Sequence, residues 1–386
     1  MQNKIYKNIE EILAQRKSQS LFRNLVVNEL IDFCSNDYLS FARNPKIATR
    51  INFLRENYQH LLGATGSRSI SGNTAFAEDL ERHIASFHGS EAALLFNSGY
   101  DANVGLFSSI ATKEDTIICD ELIHASIIDG CRLSYANRFK FLHNDLNDLE
   151  KKLMHAKGNI FVAVESVYSM DGDMAPLSEL ATLCNRFGAN LIVDEAHATG
   201  VFGLNGRGLV SEYGLEQDVF ARIHTFGKAL GCHGAAIVGS QLLREYLINF
   251  ARSFIFTTAL PIHSLFQIRS AYDQLDSADY NPLALHDLIN YFRNEFKPQK
   301  SLQLIQSVSP VQCIVIPGSR ESRAVALSLQ QNGFDVRAIT SPSVASGKER
   351  LRISLHLHNT KEEVEALLSL LNSIEVASPT KYNVSL

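Results

Sequence analysis

The amino-acid sequence predicts an α/β protein: a large, mostly parallel sheet with helices on both faces, joined to a smaller α+β domain. Three observations carry this. Short, continuously apolar runs alternate with amphipathic helical stripes through the middle of the chain, the pattern of strands buried on both faces. About the last hundred residues change character, with "RLRISLHLH" alternating apolar and polar positions. A length of 386 residues asks for about two or three structural units.

The first fifty residues read as a helix followed by "IDFCSNDYLSFARNP", a strand and an irregular loop. Ile5, Ile9, Ile12 and Leu13 share one helical face, and a short helix packing that face on its own protein is expected in preference to a membrane-surface helix. A Gly/Ser-rich loop, "GATGSRSISGN", precedes a helix that Asn73 or Thr74 caps, that carries Phe76, Leu80, Ile84 and Phe87 on one face, and that Gly89 stops. Strands are predicted at "AALLF" (92–96), "TIICD" (116–120), "NIFVAVES" (159–166), "ANLIVDE" (189–195) and "ARIHTF" (221–226). Between the third and fourth lies a helix, "PLSELATLCNRFG", with Leu177, Leu180, Cys184 and Phe187 in one stripe. In the C-terminal region, 350–358 predicts one strand and "NTKEEVEALLSLLNSI" a capped helix with Glu362 and Glu363 in its first turn. The boundaries are expected as an N-terminal helix and arm (1–50), a large α/β domain (51–275) and a small α+β domain (276–386).

Composition narrows the function. Net charge is −5, which gives no electrostatic footprint for nucleic acid. Six scattered cysteines with no C-x-x-C read as reduced thiols of a cytoplasmic protein. No apolar stretch is long enough for a membrane span, and Glu10 and Glu11 argue against a transit peptide.

"LIVDEAHATG" (191–200) contains the letters of a helicase box. A nucleotide-driven motor also needs G-x-x-x-x-G-K-[ST], and no such loop is present: Gly227-Lys228 is followed by Ala229 and Gly347-Lys348 by Glu349. No metal is expected either, because zinc spacing is missing and the pairs His83/His88 and His356/His358 read as surface or sheet-face residues. The remaining reading is a cofactor whose ring nitrogen wants a carboxylate. Pyridoxal 5'-phosphate needs a lysine, an acid at the ring nitrogen, a phosphate cradle and a flat group on the ring. Asp194 ends a strand, Lys228 sits in the glycine-rich "HTFGKALG", and Ser98, Gly99 and Tyr100 open a helix whose start suits a phosphate.

These blocks resemble the α-oxoamine synthases, fold-type I enzymes that use pyridoxal phosphate to join an amino acid to an acyl thioester and release CO₂. The resemblance runs through "SNDYLS", "GATGSRSISGN", "HASIIDG", "ESVYSMDGDMAPL", "VDEAHATGVFGLNGRG", "TFGKALG", "FIFTTALP" and "RLRISL", nearly the whole chain. It implies that Lys228 carries the cofactor and moves the Cα proton. It further implies that Asp194 meets the ring nitrogen, His197 the phenolic oxygen and His124 the ring face. Ser98, Gly99, Tyr100, Ser169 and Thr225 would complete the cofactor's contacts. Asn36 and Arg352, with His124, would hold the substrate, and Arg23 is a candidate for the far end of the acyl group. Family members are dimers with the site at the interface, which would bring Thr257 to the partner's phosphate. "ESVYSMDGD", "TFGKALG" and "GAAIVGS" are most similar to the biotin-pathway subgroup, implying L-alanine and a pimeloyl thioester carried on CoA or a carrier protein. Sister activities use glycine, serine or other acyl groups. Thr65 and His233 depart from the subgroup's pattern and put the acyl-chain preference in question.

Overall fold

The computed structural model describes residues 3–19, 21–58, 62–298 and 302–374. Its strands, in chain order, are β1 (Ile31–Asp32), β2 (Ala92–Phe96), β3 (Thr116–Asp120), β4 (Asn137–Phe141), β5 (Ile160–Glu165), β6 (Asn190–Asp194) and β7 (Val219–Thr225). They continue with β8 (Ala235–Gly239), β9 (Gln303–Leu304), β10 (Val311–Val315), β11 (Phe334–Asp335), β12 (Arg337–Ile339) and β13 (Arg350–Ser354). The helices are α1 (Lys4–Ser18), α2 (Pro45–Glu56), α3 (Ala75–Phe87), α4 (Gly99–Ser109), α5 (Ala125–Leu133), α6 (Leu146–Leu153) and α7 (Leu177–Phe187). After them come α8 (Leu209–Glu212), α9 (Gln241–Phe250), α10 (Arg252–Ile255), α11 (Ile262–Leu275), α12 (Pro282–Glu295), α13 (Ser319–Gln331) and α14 (Lys361–Ser373).

The seven-stranded sheet runs β2-β8-β7-β6-β5-β3-β4. β8 is antiparallel to both its neighbours, and every other pairing is parallel. Both faces are covered, as continuous apolar strands require. In β6, Leu191 and Val193 enter one core while Ile192 enters the other. In β5, Val162 and Val164 take the first side and Phe161 and Ala163 the second. The second core also holds Ala102 and Leu106 of α4 and Ile127 of α5. The C-terminal sheet is antiparallel, ordered β12-β13-β10-β9. β1 pairs with β11, so the N-terminal arm is stitched to the C-terminal region.

Several local expectations hold. Thr74 caps α3 by accepting from Ala77 N, and Gly89 follows it with φ +62°. Thr360 and Glu363 form a reciprocal cap on α14.

Three expectations are corrected. The helix at the N-terminus forms, but Ile5, Ile9, Ile12 and Leu13 all stay exposed and α1 buries no residue. The strand expected over 350–358 ends at Ser354; residues 355–358 leave the ladder because the backbone N–H groups of Leu355 and Leu357 go to Pro310 and Tyr38 carbonyls. His88 and His356 are fully buried. His88 stacks on His224 at 3.7 Å and bonds Tyr272, while His356 is held by Ser35 and Asn359.

Candidate active site

The side chains of alternate strand residues share a face, and this places the acids. Asp194 follows Ile192 on the face covered by α4 and α5. Glu165 follows Phe161 and Ala163 on that same face, and the two acids are register partners on adjacent parallel strands. Strands in a sheet lie about 4.8 Å apart, so these two buried carboxyls are neighbours. Asn103 of α4 donates to Asp194 Oδ2 at 2.8 Å and to Ser126 Oγ at 3.0 Å, and Ala196 N donates to Asp194 Oδ1 at 3.0 Å. One carboxylate is thereby fixed in orientation by two donors. Glu165 instead leaves Oε1 without a partner among the described residues. Burial, and then the charge of Asp194, push the Glu165 carboxyl up to about 8.

Lys228 lies in the loop after β7. The loop closes on itself through Phe226 N to Gly234 O, Gly231 N to Lys228 O and Cys232 N to Phe226 O. Gly231 has φ +61°, and a Cβ there would strike the backbone of Ala42, so this tight return needs glycine. Burial pulls the Lys228 ammonium down to about 8, against the opposing pull of Asp194 and Glu165. Arg352 adds to the lowering.

At the start of α4, Ser98 accepts from Asp101 N at 3.1 Å, while the N–H groups of Gly99 and Tyr100 have no partner among the described residues. Free amides at a helix start form a cradle for an anion. Gly99 packs against Thr225, whose Oγ1 would collide with any Cβ at that position. His124 caps α5, its Nδ1 lying 2.7 Å from Ser126 Oγ, and its ring is exposed.

The opposite wall comes from the arm and β13. Arg352 Nη2 donates to Asn36 Oδ1 at 2.9 Å and Nε to Ser169 O at 2.8 Å. Tyr38, fully buried, sits between them and His197, its hydroxyl 2.7 Å from His197 Nδ1. Burial, then Lys228, Arg352 and His124, keep His197 neutral, well below the usual histidine range.

The fold therefore gathers Asn36, His124, Ser169, Asp194, His197, Thr225, Lys228 and Arg352 around the carboxyl ends of β5–β7 and the facing β13. The Tyr100 side chain turns outward to Asp129 at 2.6 Å, leaving its amide as the useful group. Thr257 accepts from Asn97 at 2.9 Å, beyond the end of β2. Arg23 stands on the exposed stretch before β1 and makes no hydrogen bond among the described residues. Sequence reasoning did not single out Tyr38, Asn103 or Glu165. Tyr38 and Glu165 lie inside blocks it did quote, "SNDYLS" and "ESVYSMDGDMAPL", and Glu165 ends its strand just as Asp194 does.

A second cluster lies at the ends of β3 and β4. His143 bridges Asp120 at 3.0 Å and Asp173 at 2.7 Å, and Arg350 pairs with Asp171. Both ring nitrogens of His143 are spent on carboxylates, so the cluster is a charge clamp.

The family model for aminotransferase class I and II matches residues 28–371. The chain belongs to that family. It is similar to the 8-amino-7-oxononanoate synthase of Emericella nidulans, at 43% identity over 94% of this chain and 93% of that one. Among solved structures it resembles a serine palmitoyltransferase from S. paucimobilis bound to a PLP–myriocin aldimine, with a TM-score of 0.88, 26% identity and coverage of 96% and 98%. It also resembles the 8-amino-7-oxononanoate synthase of Francisella tularensis, with a TM-score of 0.76, 30% identity and coverage of 89% and 97%. Within the family the chain is an α-oxoamine synthase type of fold-type I protein, as its sequence blocks led one to expect.

Proposed function

We propose that this chain binds pyridoxal 5'-phosphate and joins L-alanine to a pimeloyl thioester with loss of CO₂, giving 8-amino-7-oxononanoate for biotin synthesis. The observation that carries the reading is the electrostatic pairing of buried Lys228 with a doubly anchored Asp194, on a chain 43% identical to a synthase of that name. The residues fit the cofactor. The free amides of Gly99 and Tyr100 suit its phosphate, with Ser98 and Thr225 beside them. Asp194 keeps a lone pair for the ring nitrogen, and the exposed ring of His124 offers a flat face. Ser169, whose carbonyl accepts from Arg352, would offer a further hydroxyl to the cofactor.

When bound, the cofactor supplies an electron-accepting ring that stabilises negative charge at the amino acid's Cα. Lys228 would be the residue that holds it. Lys228 would also be the base that takes the Cα proton, since a base titrating near 8 keeps a useful neutral fraction at neutral pH. Asn36 and Arg352 would hold the substrate carboxylate and so fix the orientation of its Cα. Bond formation from Cα to the thioester carbonyl breaks the C–S bond and expels the thiolate, which takes a proton from solvent; the carboxylate leaves as CO₂, and Lys228 returns its proton to Cα. Arg23 remains a candidate for the distal acyl carboxylate. The working unit is a pair of copies, with Thr257 meeting the phosphate held by the other copy; the uncovered apolar face of α1 supports such an assembly. Six free cysteines suit the reducing cytoplasm.

The test is thiol release from pimeloyl-CoA by the PLP-loaded protein, with L-alanine, glycine and L-serine offered separately. Release fastest with L-alanine, and abolished in Lys228→Ala, is the expected result. Preference for L-serine with palmitoyl-CoA would move the reading to the sister activity named in the S. paucimobilis structure. No release from any pair would overturn it.

A further inference from the structure

The hydroxyl of Tyr38 stands where three groups of the site converge. It lies 2.7 Å from His197 Nδ1, 3.0 Å from Asn36 Oδ1 and 3.4 Å from Arg352 Nη2. A phenol has one proton to give. That proton can go to His197 or to Asn36, not to both. In the first case, Tyr38 donates to His197 Nδ1, and the imidazole proton sits on Nε2. In the second, Tyr38 donates to Asn36, and His197 donates to Tyr38 from Nδ1.

The distances separate them. Bonds donated by N–H settle about 2.9–3.0 Å from an oxygen acceptor, so a contact of 2.7 Å lies at the short limit for an imidazole donating to the phenol. The short contact is the one to His197. Asn36 Oδ1 is already served by Arg352 Nη2 at 2.9 Å and does not need the phenol. The phenol oxygen receives the guanidinium, which polarises its O–H toward the imidazole. His197 Nε2 has no partner among the described residues and is the free end of this chain of bonds. Besides Tyr38 itself, the groups whose charge acts on His197 are Lys228, Arg352 and His124, and none is a carboxylate that would draw a second proton onto the ring.

We propose that Tyr38 is the positioning residue that sets the tautomer of His197: it donates to Nδ1, so that Nε2 carries the proton and is a hydrogen-bond donor toward the cofactor ring, and it ties that donor to the Asn36–Arg352 pair. A histidine with the opposite tautomer would present a lone pair to the ring oxygen and repel it. Arrival of a carboxylate on Arg352 is therefore felt at the cofactor through a single hydroxyl. What Nε2–H meets rests on the pyridoxal phosphate reading; the position of the proton does not.

The experiment is nitrogen-15 NMR of the histidine-labelled full chain, with and without pyridoxal phosphate, with His197→Gln to assign the signals. The expected result is a proton on Nε2 of His197 in the wild type, and a population shifted to Nδ1 in Tyr38→Phe. The cofactor's absorbance change with pH moves to higher pH in that variant, by about one pH unit. Its kcat falls about tenfold, while KM for L-alanine changes by less than about threefold. A proton on Nδ1 in the wild type overturns the proposal without recourse to any variant. So does a folded Tyr38→Phe protein with unchanged tautomer and unchanged absorbance midpoint, since a merely structural tyrosine would move neither. Absence of a cofactor band in every protein would instead refute the cofactor reading, leaving the tautomer to be read from the NMR alone.

Discussion

Two carboxyl groups on neighbouring strand ends make the clearest case for charge control at single residues. Asp194 is held by Asn103 and by Ala196 N, whereas Glu165 has one unpartnered oxygen and is pushed up to about 8 by burial and by Asp194. Burial and the neighbouring Asp194 carboxylate both disfavour the Glu165 anion, and they outweigh the backbone donors of His124 and Ser169. Glu165 is then a neutral acid below about pH 8 and leaves the site a single carboxylate for a ring nitrogen. Its amide isostere should therefore be tolerated. Glu165→Gln is expected to keep turnover within about threefold at pH 7, whereas Asp194→Asn should lose about a hundredfold or more. A Glu165→Gln protein as damaged as Asp194→Asn would show that Glu165 works as an anion, and the assignment of one charge to this pair would fail.

At the scale of elements, the His143 clamp joins the end of β3 to β4 and to the loop after β5. Burial alone would lower the His143 pKa, but hydrogen bonds and charge from Asp120 and Asp173 reverse this and raise it to about 9. A raised histidine stabilises the fold fully below its unfolded value near 6.5, and that stability is lost as pH climbs through 9. His143→Gln is expected to cost about 2 kcal/mol at pH 6 and progressively less by pH 10, measured as the difference in urea unfolding from wild type. A pH-independent difference would mean that packing alone matters there. The elements around this clamp also show what a sequence reveals. β6 and β5 are legible because both faces are apolar. β4, "NRFKF", is an edge strand with four of five residues exposed, so it has no apolar run and no clean alternation to announce it. β8 is apolar, but nothing local says that it runs against its neighbours. The site itself divides in the same way. Asp194, Lys228 and the start of α4 are visible because each occupies a strand end or glycine-rich turn. The bond from Tyr38 to His197 joins residues 159 apart in sequence and becomes visible only once the fold is known.

For the molecule as a whole, the apolar surface left uncovered is itself informative. Leu25 and Val27 are fully exposed, and α1 presents Ile5, Ile9, Ile12 and Leu13 to solvent without burying any of them. The expected packing of α1 on its own chain fails: the helix buries no residue, and residues 23–29 that follow it are exposed as well. An isolated helix of this length is marginal in water without an apolar partner. The proposed pair of copies supplies such a partner, and continuous apolar surface of this kind marks interaction sites. Placing charge on the stripe should then weaken assembly while sparing the cores, since no core residue touches it. The double variant Ile9→Lys/Ile12→Lys is expected to shift sedimentation toward the single chain at micromolar concentration and to lower activity as the protein is diluted. Its near-UV circular dichroism should match the wild type, because both cores are intact. If the variant sediments like the wild type at every concentration, α1 lies outside the interface and the pairing must be sought on another face of the molecule.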